Sequence, residues 1–349
     1  MNNTSCFPSA DEPPDVTDLR NVTYAIIMPV ILAFGFLLNT FSLFVAGQSA
    51  LNSVALSYLI ALISSNLSLM ILAVPWLLHR SSAPTQCYSH SDAFYHAYIE
   101  PVLLNWMATF STYILLCTSI ERFLSVAHPA FFRRHHLLPR ARAALVILLC
   151  LSFAIHVPMF LKQSLICPEC WTPAVNIDTI TSSSWTAYIW ISQTMARFIP
   201  CAALIILNIS TIFKYRRIIN KRSRMTTEAV SMSQINTPNC SLTNLSSVKK
   251  KTLPSSSYQD EKRQLKILSG LVCLVAVCIV PTGVAALLPY SDGYQYYKFL
   301  VVVEALELFH HSVVSFVICL CNSDIHRRVR KMITCNSSSI WSIQNDGFL

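Results

Sequence analysis

Residues 95–124 read YHAYIEPVLLNWMATFSTYILLCTSIERFL, an apolar helix with Glu100 near one end and Arg122 near the other. The separation of those two charges is about 33 Å at helical rise, roughly the thickness of a bilayer core. One span thus holds a charge at each membrane face. That geometry belongs to a device that senses on one side and reports on the other.

The rest of the chain reads the same way. Of 349 residues, 53% are hydrophobic and only 12% are charged, against about 25% charged in soluble domains. The apolar residues collect into seven runs, at 24–47, 54–78, 95–123, 142–162, 184–213, 264–288 and 299–320. Runs this long and this uniformly apolar exclude barrel strands and leave helices as the spanning form. The expected fold is an all-α membrane protein, a seven-transmembrane helix bundle. Asp324–Met332 adds a short basic amphipathic eighth helix on the membrane surface.

Charge placement sets an orientation. The loops after the third and fifth runs, the C-terminal tail and the helix ends beside them carry 21 of the 26 Lys+Arg, with six acids. The other side carries Arg20, Arg80, Lys162, Arg197 and Lys298 with eleven acids. The positive-inside rule then places the N-terminus outside and the tail in the cytosol. A plasma-membrane, multi-pass protein is expected. Its basic balance reflects orientation in the lipid bilayer and is no sign of nucleic acid.

The domains follow: an extracellular tail at 1–23, the seven-span domain at 24–320, and the amphipathic helix with cytosolic tail at 321–349. Within the second, residues 214–263 have basic ends around a Ser/Thr/Asn-rich middle and read as a disordered cytosolic loop. Glycosylation is expected at Asn2, Asn3 and Asn21, the sequons on the outer side. Of thirteen cysteines, those in the spans act as small apolar residues, and Cys6, Cys87, Cys167 and Cys170 lie outside. Cys167 and Cys170 form a CxxC lacking the second pair a metal site needs, so a structural disulfide from one of them to Cys87 is expected. Cys335 is a palmitoylation candidate. Neither a metal nor a cofactor is called for.

Polar residues inside the spans carry the rest. Asn39, Asn66, Asn105 and Asn208 each interrupt a different span, either as glue between helices or as members of one polar interior. Pro200 and Pro281 break the fifth and sixth spans, and a mid-span proline makes a lever of the half below it. Arg197 sits inside an apolar run, where an unpaired charge costs at least about 2.5 kcal/mol, so it faces water, a partner, a ligand or the interface.

Seven spans, the Glu121-Arg122-Phe123 ending of the third, and prolines in the fifth and sixth together resemble rhodopsin-like (class A) G-protein-coupled receptors over residues 24–335. Ile199-Pro200-Cys201, Val280-Pro281-Thr282-Gly283-Val284 and Phe316-Val317-Ile318-Cys319 are similar to the FMRFamide and myosuppressin receptors and the nematode Srw chemoreceptors. The resemblance implies that Arg122 grips a heterotrimeric G protein. Glu121 and Glu261 restrain it as an ionic lock, and Asn39, Pro200 and Pro281 fill the family's switch positions. Arrestin and a receptor kinase are further implied partners. Departures are Asn66 for the sodium-binding aspartate, Asn208 for a tyrosine, Ile279 for a tryptophan, and Ser315 opening the Asn-Pro-x-x-Tyr position. Leu104 and Phe309 stand where amine receptors and opsins carry their aspartate and lysine.

The expected function is reception of an extracellular ligand, a neuropeptide that is FMRFamide-like and cationic, matched to the acidic outer face. The alternatives are a small-molecule chemosensory receptor of the Srw type and a weakly coupling orphan receptor. Candidate pocket residues are Glu100, Asn105, Trp106, Arg197, Glu304 and Glu307, with Asp292 near the same mouth. No nucleophile–base pair or internal repeat points to an enzyme or a transporter.

Overall fold

A computed structural model describes residues 14–47, 53–81, 88–135, 137–166, 171–235, 255–288 and 294–321. Six helices are long and apolar enough to cross a membrane: Asp15–Gly47, Val54–Ser81, His90–Ala127, Leu138–Leu161, Ser183–Ile218 and Tyr294–Cys319. They are spans one to five and seven. Span six lies in the helix Ser255–Leu287, whose apolar stretch among the described residues is Cys273–Leu287. Span three packs against spans two, four and five at the centre of the bundle. Val30, Leu37, Phe44, Val146, Ile147, Ile206 and Val302 remain exposed, as side chains facing lipid do.

Prolines decide where the helices depart from α geometry. Thr23–Ile27, Tyr95–Ile99 and Thr194–Phe198 are π-turns. Each ends one residue before the dipeptides Met28-Pro29, Glu100-Pro101 and Ile199-Pro200. Proline lacks an N–H and its ring clashes with the carbonyl four residues back. The preceding residue therefore bonds five back: Met28 to Thr23, Glu100 to Tyr95, Ile199 to Thr194. In span four, Val157–Leu161 tightens into a 3₁₀ turn around Pro158.

Helix extends past two expected boundaries. The helix of span one begins at Pro14, inside the expected tail, with proline in its first turn and Asp15 favouring the dipole. Of the expected loop 214–263, residues 214–235 and 255–263 are helical, and 236–254 lie outside the described residues. No Gly or Pro falls within 214–235, and Pro238 and Pro254 bracket the segment between the two helices.

The sequence reading also lacked a β-hairpin. Strands β1 (Gln163–Ile166) and β2 (Thr172–Val175) pair antiparallel between spans four and five. Beside them, the backbone N–H of Tyr88 donates to the carbonyl of Trp171 at 3.3 Å. Cys87, Cys167, Cys170, Asn2, Asn3, Asp292, Cys335 and the eighth helix lie outside the described residues. Asn21 is exposed on its helix, while Thr23 of the same sequon is buried.

Candidate functional site

A cavity of about 1030 Å³ opens at one end of the bundle, among spans two to seven and the hairpin. Glu100, Asn105, Arg197, Glu304 and Glu307 all line it. Trp106 does not. Its indole N–H donates to the carbonyl of Leu149 at 3.0 Å and its ring meets Phe153 edge-on, so it serves the packing of spans three and four. Successive residues on a helix point about 100° apart, and here Asn105 takes the cavity side while Trp106 takes the side toward span four.

Each acid in the wall has a partner. Glu100, only 4% exposed, pairs through Oε2 with Nδ1 of His96 at 2.6 Å; His96 lies in the π-turn Tyr95–Ile99 and Glu100 follows it. Glu304 Oε2 accepts from the hydroxyl of Tyr24 on span one at 2.6 Å. Arg197 donates to Glu307 Oε1 at 2.8 Å and to Gln193 Oε1 at 2.6 Å. The buried charge of span five is thus answered by a carboxylate on span seven. Of these acids only Glu307 meets a full cation, while Glu304 and Glu100 are met by a hydroxyl and an imidazole.

Four other residues found here were not among the pocket candidates. His79 and His96 stack with centroids 4.3 Å apart, and His79 Nδ1 meets the Tyr88 hydroxyl at 2.8 Å. Arg80 and Lys162 line the same cavity. Partial burial, then the charge of Arg80, holds the Lys162 ammonium below the ordinary lysine range. The available signal was a cation at the edge of an apolar run, which also fits a side chain reaching for the interface.

Beneath the cavity lies a polar core. Asn66 Nδ2 donates to Ser315 Oγ at 2.7 Å, while Asn66 Oδ1 accepts from Ser111 Oγ at 2.7 Å. His311 Nδ1 approaches the same oxygen at 3.1 Å and therefore carries its proton there. His311 also lines the cavity, so one side chain belongs to both places. Asn39 Nδ2 donates to the carbonyls of Gly35, His311 and Ser312, joining spans one and seven. A Cβ on Gly35 would overlap the Ser312 side chain, which is how closely those helices approach. Asn39 and Asn66 thus meet span seven. Asn105 instead bonds the carbonyl of Pro101 at 2.8 Å, and Asn208 is buried on span five.

At the opposite end a cavity of about 280 Å³ is lined by Glu121, Arg122, Ser125, Phe132 and Ile318, among others. Ser125 Oγ holds the Arg122 carbonyl at 2.8 Å, and the Phe123 ring meets His128 edge-on. Glu261 is helical, but its side chain lies outside the described ones.

Two cavities thus lie at opposite ends of the helices, with a polar core between them. The family profile described as "7 transmembrane receptor (rhodopsin family)" matches residues 40–323, and the chain belongs to that family. Similar proteins include two from Caenorhabditis elegans, each named as a probable G-protein coupled receptor. B0563.6 is 25% identical over 94% of this chain and 73% of its own length. AH9.1 is 21% identical over 95% of this chain and 80% of its own. The chain is a multi-pass membrane protein and a G-protein-coupled receptor, a signalling receptor whose partners are an extracellular ligand and a G protein.

Proposed function

We propose that the extracellular ligand is a peptide, bound in the large cavity of a receptor at the plasma membrane. The cavity end faces outward and the Arg122 end faces the cytosol, in keeping with the charge asymmetry of the loops. The observation that carries the peptide reading is the size and shape of the cavity. At about 1030 Å³ it stands at the upper bound of small-molecule pockets, and its mouth is open beside the β1–β2 hairpin. Apolar walls such as Leu69, Leu104 and Trp76 alternate with charged groups, as a chain of mixed side chains requires.

In this reading the peptide reaches the Arg197–Glu307 pair between spans five and seven, and His311 below it. A change at His311 alters the bonds of Asn66 to Ser111 and of the amide to Ser315. Span six, with Pro281 inside its helix, moves its lower half. Arg122 is then released to the G protein from restraint by Glu121 and Glu261.

The test is a screen of peptides and small molecules on cells expressing the receptor, read as calcium and cAMP. An N-terminal epitope tag on unpermeabilised cells checks surface display and orientation. Activation by peptides, lost in the Arg122→Ala variant, is the expected result. Responses confined to non-peptide small molecules would replace this reading with the chemosensory one.

A further inference from the structure

The charges around the large cavity divide unequally between the engaged and the open. Glu100, Glu304 and Glu307 each accept a hydrogen bond from a neighbouring side chain. Of the cations, Arg197 is held by Glu307 and Gln193. The side chains of Arg80 and Lys162, which line the same cavity, make no hydrogen bond or ion pair with another described residue. Both are drawn toward Glu304, whose oxygen already receives the Tyr24 hydroxyl, and they repel each other. Two like charges in one wall, neither side chain hydrogen-bonded to another described residue, offer their donors to a negative group. Arginine offers a planar fork that fits a carboxylate with two parallel bonds, and lysine adds a compact point charge.

We propose that the peptide enters with a carboxylate received by Arg80 of span two and Lys162 at the foot of β1. The inference rests on the reading of this cavity as the peptide site and names the group that site takes. The carboxylate belongs either to an acidic side chain or to a free C-terminus. A peptide that is amidated and carries only positive charge does not satisfy it.

A reporter cysteine measures the cavity's preference without any agonist. In the full-length receptor carrying Leu104→Cys, a negatively charged methanethiosulfonate reagent is expected to react about tenfold faster than a positively charged one. Each rate is normalised to a free thiol and corrected for the parent receptor's own cysteines. Thr186→Cys, at a second cavity position, serves if the first variant folds poorly. Arg80→Gln with Lys162→Gln is expected to abolish the preference. A ratio at or below one in both reporters overturns the inference and leaves the receptor reading intact.

The second arm uses matched peptides, free acid against C-terminal amide and Glu or Asp against Gln or Asn. Loss of the essential carboxylate is expected to lower potency about ten- to hundredfold on the wild-type receptor. The same change should matter little on the Arg80→Gln and Lys162→Gln receptors. The amide pair identifies a C-terminal source and the side-chain pair an acidic residue. Peptides that activate equally well without any carboxylate overturn the inference while upholding the peptide site.

Discussion

Arg197 of span five and Glu307 of span seven are joined at 2.8 Å, with side chains only 12% and 21% exposed. They stitch two helices that share the wall of the large cavity. Removing either partner strands the other charge in a partly dry site. Arg197→Gln or Glu307→Gln is expected to destabilise the receptor by about 1–3 kcal/mol. The double variant should lose less than the sum of the two. Thermal unfolding in detergent measures all three, and strictly additive losses would show the pair to be uncoupled.

Gly35 admits Ser312 to the space a side chain would fill. Gly35→Ala should cost about 1–3 kcal/mol through overpacking. Ser312→Gly, which empties the contested volume, should restore a good part of that. If Gly35→Ala melts at the parental temperature, spans one and seven are not in close contact there.

The oxygen of Asn66 is occupied by donors from Ser111 and His311, and its site has no net charge. Agonist potency should therefore stay the same when sodium chloride is replaced by choline chloride at equal ionic strength. Asn66→Asp supplies a carboxylate and should introduce such a dependence. A tenfold sodium effect on the parental receptor would contradict the proposed role of the amide.

Arg122→Ala should abolish G-protein activation while leaving surface expression and ligand binding intact. Glu261→Ala should raise basal signalling, since it removes a restraint on the same guanidinium. An unchanged basal level would take the lock out of the account.

The backbone bond between Tyr88 and Trp171 brings together segments that flank Cys87 and Cys170. We propose a disulfide from Cys87 to Cys170 or Cys167. Cys87→Ser should reduce surface expression and leave one CxxC thiol reactive to maleimide. Peptide mapping without reduction that finds all three thiols free would exclude it.

Much of the bundle was legible because lipid is a severe solvent. A helix must be apolar for about twenty residues to cross it, and seven runs announce themselves. Arg197 and Asn66 were legible for the same reason, since a polar group in such a run needs a partner. The identity of the partner was not. Tyr24 and Glu304 are 280 residues apart, and no local pattern joins them. Trp106 was misplaced although Asn105, Thr109 and Thr112 mark a polar side of span three about 100° away from it. The hairpin escaped because its strands are four residues each and one contains Pro173. Arg80 and Lys162 were visible only as cations near span ends, where lipid headgroups explain them equally well.

The π-turns have a meaning beyond local geometry. Each inserts an extra residue's worth of backbone, about 100° of rotation, into its helix before a proline. Everything on the cavity side of Pro29, Pro101 and Pro200 is thereby dialled round relative to the half beneath it. Tyr24, His96 and Arg197 each lie within one of these turns, and all three reach a carboxylate. Changing one of those prolines would let the helix wind back and rotate a different set of side chains into the cavity. The wall of the large cavity is thus set partly by Pro29 and Pro200, which do not line it.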